Sequence, residues 1–304
     1  MKKVFYIVNP TSSGGTGIKV WNRYKRTCAR EIAPQDVHFT RHTGDAAQHA
    51  KTVAGYSMIV AVGGDGTVGE VISGIMARTV EAGDCRPTLA VLPAGTGNDI
   101  ARHISAFPLD KAISTLRDGR VTSFDLIRIE CQGEAGPLYR HAFLYGTAGF
   151  CALLKFKPWM KRYLGATVGT YLSMILALLE FRPPEMTITW QGGGYTGPLW
   201  MAIAANAEKV AGASIRLAPE ARTGDGVLDM LLIPAKSKPA MLGGLLPKIP
   251  TGRHIGVTGV QYFRSTALTV DAERPVLVEI DGDVFGYTPA VFAVCPKALG
   301  ILSG

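Results

Sequence analysis

Apolar residues alternate between two spacings over the first 125 residues of the chain. Short apolar runs of four to six residues are each followed by a segment with apolar positions at helical spacing. The strand runs are VFYIV (4–8), VHFT (37–40), MIVAV (58–62) and TLAVLP (88–93). Repeated strand–helix units predict an α/β fold, with a Rossmann-like open parallel sheet that carries helices on both faces.

Three helices stand out between these strands. Trp21, Tyr24, Cys28 and Ile32 recur at helical spacing, and a second helix is expected from Gly44 to about Ala54. The third follows the MIVAV run, and its apolar face is formed by Val68, Val71, Ile72 and Ile75. A further amphipathic helix is predicted from Leu109, Ala112, Ile113 and Leu116.

The pattern changes near Ser123, after which strand signals dominate. Turn clusters such as QGEAG and GGGYTG separate several strands, and two helices are expected around 158–181 and 237–248. The strand runs are LIRIEC, RHAFLYG, MTITWQ, LWMAIAAN, VLDMLLIP, ALTVDA, PVLVEIDG and AVFAVCP. We therefore predict an α/β domain over 1–125. An antiparallel β-sandwich domain follows over 126–304, with a last strand able to return to the first domain.

Composition limits the compartment and the kind of site. The five cysteines are odd in number and include no C-x-x-C pair, which argues against a disulfide framework or a zinc site. The first apolar run is too short for a signal peptide, and the longest one, 166–181, falls short of the roughly 20 residues that span a bilayer. We expect a cytoplasmic protein.

The net charge of +8 attracts nucleic acid, anionic membranes and anionic substrates without distinguishing among them. Lys155, Lys157, Lys161 and Arg162 lie beside the apolar helix expected around 158–181. Core packing with a membrane-facing edge is the preferred interpretation of this segment, which would place the protein peripherally on an anionic inner membrane surface.

Three glycine-rich turns follow predicted strands in the first half. They are Asn9–Gly15 (NPTSSGG), Gly63–Thr67 (GGDGT) and Pro93–Asp99 (PAGTGND). Turns at the carboxyl ends of parallel strands line one crevice, and glycine lets backbone N–H groups approach phosphate oxygens. No G-x-x-x-x-G-K-[ST] sequence is present, so this is not a P-loop. Three such turns in register predict a triphosphate cradle.

These motifs resemble the diacylglycerol kinase catalytic domain family, which includes bacterial soluble lipid kinases and sphingosine and ceramide kinases. The resemblance rests on GGDGT followed by VGEVISGI, and on PAGTGNDIAR about thirty residues later. It continues through T-x-x-x-G-D-A (40–46), TGDGVLD (223–229) and IDGD (280–283). The implied activity is transfer of the γ-phosphate of ATP to the hydroxyl of a diacylglycerol-like lipid. The resemblance implies that the domain over 1–125 binds the nucleotide, as in NAD kinases and phosphofructokinases, and that the domain over 126–304 binds the lipid.

The resemblance also implies which residues hold the substrates. Asp65 and Asp99 would lie near the phosphates and a catalytic magnesium ion, so the implied cofactors are ATP and Mg²⁺. The residues that would hold the nucleotide are Asn9, Pro10, Thr11, Ser12, Ser13, Thr40, Gly64, Asp65, Gly66, Thr67, Val68, Gly69, Glu70 and Thr96.

The chain departs from the family pattern at several positions. The catalytic base of the family is a glutamate in a D-G-E turn, and the chain has Asp283 there, shorter by about 1.5 Å of reach. The alternative for Asp283 is a solvated turn residue. The second glycine turn has Val68-Gly69 where leucine-asparagine is common.

A second metal site is implied in the segment 222–227. Asp225 would supply a carboxylate, and Arg222 and Val227 would supply backbone carbonyls, which suit magnesium. A turn capped by an aspartate explains the same residues equally well.

Three functions stay open at this point. The leading hypothesis is a lipid kinase whose partner is a lipid at a membrane surface and not nucleic acid, with a homodimer through an exposed edge strand as one assembly. The second is a kinase of a soluble hydroxyl compound, as in NAD kinases. The third, motivated by Asp283, is a catalytically weak protein that binds nucleotide and lipid.

Overall fold

The computed structural model describes residues 3–28, 32–79, 86–156 and 176–304 of the chain. The α-helices that lie wholly within these ranges are α1 (Ser12–Thr27), α2 (Asp45–Thr52), α3 (Asp65–Met76), α4 (Asp99–His103) and α5 (Leu109–Asp118). The strands of the first half are β1 (Val4–Val8), β2 (Val37–Phe39), β3 (Met58–Gly63) and β4 (Thr88–Pro93). Those that follow are β5 (Arg120–Gly133), β6 (Gly136–Ala142), β7 (Tyr145–Gly149), β8 (Glu185–Trp190), β9 (Gly193–Ala205), β10 (Leu228–Pro234), β11 (Gln261–Ser265), β12 (Ala267–Ala272), β13 (Leu277–Ile280) and β14 (Asp283–Ser303).

The first four strands pair in parallel in the order β2–β1–β3–β4. All six residues of β3 are buried, as expected for a parallel strand covered on both faces. The apolar side of α3 faces the same core, where Val71, Ile72 and Ile75 are fully buried. Because the strands are parallel, the turns that follow β1, β3 and β4 come together at one edge of the sheet.

The long strand β14 connects the two halves of the molecule. It pairs in parallel with β4 at Ile301 and Leu89, and antiparallel with β5, β12 and β13. All strands of the described ranges therefore belong to one hydrogen-bonded network.

Six of the later strands close into a ring in the order β7–β9–β8–β12–β14–β13. The buried apolar cluster of this ring includes Ala202, Val278 and Phe292, and Ile129 of β5 belongs to the same cluster. The expectation of a mixed α/β fold with a β-rich second half is confirmed. The expected open, Rossmann-like sheet does not describe the topology, because β14 continues the parallel strands into this closed ring.

Several local expectations were wrong. Helix α1 ends at Thr27, because Cys28 takes extended backbone (φ −73°, ψ 129°), so the spacing to Ile32 is not helical. The GGGYTG cluster is mostly strand, since β9 begins at Gly193. The predicted strand RHAFLYG is divided between β6 and β7. Residues 240–248 form a π-helical turn and a 3₁₀ turn in place of a regular α-helix.

The expected helix around 158–181 falls mostly outside the described residues, of which 176–180 are helical. Lys157, Lys161 and Arg162, which carry the predicted membrane-facing edge, also lie outside them. Within the described residues, no helix has the length and apolar character needed to cross a membrane.

Candidate active site

The three glycine-rich turns are hydrogen-bonded to one another. Asn9 Nδ2 donates to Thr67 Oγ1 at 3.0 Å, which joins the first turn to the start of α3. Ser12 Oγ donates to the Ala94 carbonyl oxygen at 3.1 Å, which joins the first turn to the third. The hydroxyls of Ser13 and Thr96 share a further bond of 3.1 Å. The polar side chains that suggested a phosphate cradle therefore also fix the turns to each other.

The second and third turns touch through their backbones. A Cβ atom placed on Gly95 would lie 2.4 Å from Cα of Gly64, and one placed on Gly64 would lie 2.9 Å from Cα of Gly95. Glycine is required at both positions because no side chain fits between two main chains at this separation. Gly95 is held further by Asn98, whose Oδ1 accepts its N–H and whose Nδ2 donates to its carbonyl, both at 2.7 Å.

We expect Gly95→Ala to separate these two turns, lowering the free energy of unfolding by about 1–3 kcal/mol and weakening nucleotide binding. Gly256→Ala is the matched control, because a Cβ there would meet nothing within 4 Å. Urea denaturation and ATP titration check both variants. Unchanged stability and unchanged ATP affinity in Gly95→Ala would show that the two turns need not touch.

Asp65 and Asp99 lie behind the wall of the cleft that these turns form. Asp65 Oδ1 accepts the N–H of Ile100 at 3.0 Å, and Asp99 Oδ1 accepts those of Gly212 and Ala213 at 2.8 and 3.0 Å. Their Oδ2 atoms converge at Gly97, 3.2 and 3.3 Å from the position of a Cβ on that residue. Burial raises the pKa of Asp65, which backbone N–H groups partly oppose. Two hard oxygen donors facing one spot suit a magnesium ion.

A loop between β2 and α2 forms the opposite wall. The N–H of Arg41 donates to Asp45 Oδ2 at 2.8 Å, and that of Gly44 donates to Glu70 Oε1 at 2.9 Å. Glu70 therefore holds the loop against α3, in addition to the nucleotide-holding role that the sequence predicted for it.

His38, Asp45 and His49 lie together at the base of this loop, and the atoms through which they could bind a metal are within 4.8 Å of one another. The two imidazole rings are stacked, with centroids 3.4 Å apart and planes 20° apart. The nitrogen lone pairs of an imidazole lie in the plane of its ring, so two stacked rings direct them along parallel planes and not at one shared metal ion. Burial would raise the pKa of Asp45, but the bond from His38 and the N–H of Arg41 bring the pKa below its usual value. The cluster is therefore an anchor for the loop.

These walls enclose a cleft with a volume of about 640 Å³, within the usual range for small-molecule sites. The sequence-predicted residues that line it are Asn9, Thr11, Ser12, Thr40, Gly64, Gly66, Thr67, Glu70 and Asp283. The predicted residues outside its lining are Pro10, Ser13, Asp65, Val68, Gly69, Thr96 and Asp99. Val68 is 1% exposed and points into the core.

The cleft also contains residues that the sequence did not indicate. Arg41, His42, Thr43, Arg140 and Val284 line it. The first three occupy the variable positions of the T-x-x-x-G-D-A element, so their proximity to a predicted motif was a usable signal. Val284 directly follows the predicted Asp283 and had the same signal, whereas Arg140 begins a β-strand sequence that contains no predicted motif. The two arginines place positive charge in the cleft, where the carboxylates of Glu70 and Asp283 also lie.

Asp283 reaches this cleft from the turn between β13 and β14. Its Oδ2 lies 3.5 Å from the position of a Cβ on Gly66, in the first turn of α3. Asp281 anchors that turn, since its carboxylate accepts the N–H groups of Phe143, Leu144 and Tyr145 at 2.8–2.9 Å. Asp281 thus fixes where Asp283 stands relative to the glycine turns.

Burial raises the pKa of the Asp281 carboxyl to about 6, against the three amide donors. A raised carboxyl pKa means that the folded chain takes up this proton before the unfolded chain does, so this residue favours the folded state more as pH falls from 7 to 5. Protonation nevertheless leaves Phe143 N–H facing a hydroxyl, which loosens the turn that carries Asp283.

We therefore expect kcat to fall below about pH 6 while the melting temperature shows no loss from this residue. Asp281→Asn mimics the protonated state, so it should have about tenfold lower kcat at pH 7.5 and no acid limb near pH 6. Rate profiles and thermal melts from pH 5 to 8 measure both. If kcat of the variant still fell below about pH 6 as in the wild-type protein, the titration of another group would cause that fall.

The predicted metal segment 222–227 forms a hydrogen-bonded turn. The Arg222 carbonyl accepts the N–H of Gly224 at 2.9 Å, and Asp225 Oδ1 accepts that of Val227 at 3.3 Å. The buried carboxylate of Asp125 accepts the N–H groups of Gly226 and Lys297, both at 2.7 Å, and ties this turn to β14. These bonds fit an aspartate-capped turn better than a metal cage, and the metal role of Arg222, Asp225 and Val227 stays a prediction.

Two family models match the chain in succession. Residues 3–129 match the diacylglycerol kinase catalytic domain, and residues 160–303 match the YegS C-terminal NAD kinase beta sandwich-like domain. The boundary between them falls within the middle third of the chain, where the strand–helix alternation gives way to antiparallel strands.

Curated relatives match along almost the whole chain. A diacylglycerol kinase of Bacillus subtilis is 26% identical over 300 residues, which cover 96% of this chain and 93% of the relative. A diacylglycerol kinase of Mycobacterium tuberculosis is 28% identical over 310 residues, covering 99% and 94%.

Solved structures share the fold. A crystal structure described as a diacylglycerol kinase from Bacillus anthracis superposes with a TM-score of 0.72 at 22% identity, covering 100% of this chain and 97% of that one. Yeast NADH kinase complexed with NADH superposes with a TM-score of 0.51 at 11% identity, covering 99% and 82%. At these identities the likeness concerns the fold.

Proposed function

Because the chain belongs to the diacylglycerol kinase catalytic domain family, whose members transfer phosphate to an alcohol, we propose that it is an ATP- and Mg²⁺-dependent lipid kinase acting on a diacylglycerol-like hydroxyl. The observation that carries the proposal is the cleft itself. The first and second glycine turns line one side, the third turn packs behind them, and Asp283 enters from β14.

The residues of this cleft suit the separate needs of phosphoryl transfer. The first turn of α3 presents backbone N–H groups and the positive end of the helix to phosphates, while hydroxyls of Thr11, Ser12, Thr40 and Thr67 add hydrogen-bonding groups. Little covalent chemistry is asked of the protein, because catalysis of this reaction depends on positioning and charge neutralisation.

In the proposed step, the oxygen of the lipid hydroxyl forms a bond to the γ-phosphorus and the bond from that phosphorus to the β-phosphate oxygen breaks. ADP leaves, and Asp283 accepts the proton of the hydroxyl. Asp65 and Asp99 are the residues that would hold a magnesium ion, which when bound supplies charge neutralisation at the phosphates. Asp281 keeps the Asp283 turn in place throughout.

The acceptor is proposed to be a lipid because relatives that match along almost the whole chain carry the name diacylglycerol kinase. A soluble acceptor remains an outcome of the test. The likeness to yeast NADH kinase concerns the fold and does not favour it.

The test is a transfer assay with the purified protein, radiolabelled ATP, magnesium and mixed detergent-solubilised lipids, followed by extraction of chloroform-soluble products. We expect a labelled phospholipid whose identity names the acceptor. Label transferred to NAD and not to lipid would support a soluble-substrate kinase. ATP binding without transfer to either would point to a catalytically weak nucleotide- and lipid-binding protein.

A further inference from the structure

One guanidinium shares the cleft with the proposed base and does not belong to the glycine turns. Arg140 lies on β6, is half-buried, and lines the same cleft as Asp283. Its Nη2 atom is 3.4 Å from the position of a Cβ on Gly69. Its Cζ lies 5.7 Å from the ring centroid of Phe285, two residues beyond Asp283.

Helix α3 relates this guanidinium to Asp283. Gly66 faces the Asp283 carboxylate and Gly69 faces Arg140. Residues three apart on a helix are neighbours on one face, about 5–6 Å apart. The cation and the proposed base therefore approach the same face of α3 at successive turns. The phosphoryl group must lie between the helix start that holds the nucleotide and the base that receives the proton, which is within reach of Arg140.

The absence of a side chain at Gly69 leaves the space that the Arg140 guanidinium occupies beside α3. Gly69 is buried in the middle of α3, where glycine weakens a helix relative to any ordinary residue. It also stands at the position where asparagine is common in the family. A side chain extending beyond Cβ at residue 69 would occupy the space that the guanidinium now fills, so the identities of positions 69 and 140 depend on each other.

We propose that Arg140 binds the transferring phosphate of ATP, and that Gly69 provides the space for it. A guanidinium binds phosphate oxygens through two parallel N–H donors, and its charge offsets the charge that spreads over the phosphoryl oxygens during transfer. The catalytic part of this assignment rests on the proposed kinase function, whereas the binding part concerns ATP alone.

The alternative role for Arg140 is purely structural: its side chain would hold the Asp283 turn by packing on Phe285. Arg140→Met keeps a long apolar chain over the ring and removes the charge. Because that charge also acts on Asp281, the anchor of the same turn, the comparison of ATP with adenosine is what separates the two roles. Arg128→Met is the matched control. Arg128 lies on the neighbouring strand β5, where it pairs with Glu130, so its substitution removes the same charge outside the cleft.

Calorimetric titration with ATP, ADP and adenosine tests the binding part. In Arg140→Met we expect about tenfold weaker ATP binding, a smaller loss for ADP and no loss for adenosine, with an unchanged melting temperature. Arg140→Lys should recover part of the ATP affinity. Equal losses for all three ligands with a lower melting temperature would overturn the proposal in favour of the packing role.

Measurements of phosphate transfer, with variants at positions 140 and 69, test the catalytic role of Arg140 and its dependence on Gly69. We expect kcat to fall about 100-fold in Arg140→Met and similarly in Gly69→Asn, whose melting temperature should not fall because glycine is the weaker helix former. Adding Gly69→Asn to Arg140→Met should cause no further loss. If the loss of kcat in the double variant equalled the product of the losses in the two single variants, the two positions would act independently and the proposed coupling would be wrong.

The two proposals fail in different ways. A wild-type enzyme that phosphorylates lipid, with an Arg140→Met variant that matches it in kcat and ATP affinity, would refute the role of Arg140 alone. A wild-type protein that transfers no phosphate to lipid, but loses ATP affinity selectively in Arg140→Met, would refute the lipid kinase and support the phosphate site.

Discussion

Replacing Asp283 by asparagine is expected to lower kcat by about 10³-fold, while ATP binding changes by about twofold or less. The amide has the size and shape of the carboxylate, so the turn after β13 and the wall of the cleft persist. It cannot take the proton of the attacking hydroxyl. The loss should therefore appear in turnover, measured with the lipid that the labelling assay identifies.

Asp283→Glu is the informative companion variant. Glutamate occupies this position in the family and extends the carboxylate by about 1.5 Å. We expect it to retain or raise turnover, because the shorter aspartate reaches less far from the same turn. An increase would mean that Asp283 holds the native enzyme below its attainable rate.

Asp271→Asn controls for the change of charge, since Asp271 is exposed on β12 and outside the cleft lining. Full activity in Asp283→Asn would exclude Asp283 as the base. Loss of activity in the Asp271 variant as well would attribute the effect to net charge.

The parts of the site that the sequence predicted are those fixed locally. Each cradle turn follows an apolar strand run and precedes a helix, and parallel pairing alone brings the ends of β1, β3 and β4 together. The position of Asp283 came from a resemblance that spans the chain. Its presence in the cleft depends on the anchor at Asp281, which contacts Phe143 across a sequence separation of 138 residues.

The parts that the sequence did not predict depend on pairings between distant segments. Arg140 enters the cleft because β6 pairs with β5, and β5 pairs with β14, whose first residue is Asp283. No periodicity within β6 carries that information. The closed ring was missed for the same reason, since closure requires β14 to pair with strands on both sides.

Residues that combine two roles were also hard to interpret from sequence. Asp65 was predicted from its motif as a phosphate and metal residue, and in the structure it also caps the start of α4 through Ile100. Glu70 likewise holds Gly44. A motif gives the identity of such residues, whereas the second role depends on a neighbouring loop whose position only the fold determines.

Replacing Asp65 by asparagine is expected to abolish phosphate transfer, with kcat falling by at least about 10³-fold, and to leave the fold intact. The fold should survive because the asparagine oxygen still accepts the N–H of Ile100, the bond that joins the second turn to α4. Burial raises the pKa of Asp65, so its ionised form costs folding stability that grows as the pH rises through that pKa. Asparagine avoids this cost, and we expect no lower melting temperature at pH 7.5.

Transfer should fail because the Oδ2 atoms of Asp65 and Asp99 face the same spot beside Gly97, and asparagine replaces one of them with an NH₂ group. An NH₂ group cannot ligate a magnesium ion, so the variant would hold the ion at this spot with one oxygen donor fewer. ATP titrations with and without magnesium separate the causes: the wild-type protein should bind ATP more tightly with the metal, and Asp65→Asn should lose that increment. Full transfer activity in the variant would refute the mechanism. If the variant lost activity but still bound ATP more tightly with magnesium, Asp65 would have only its structural role at α4. The metal ligands would then be other residues.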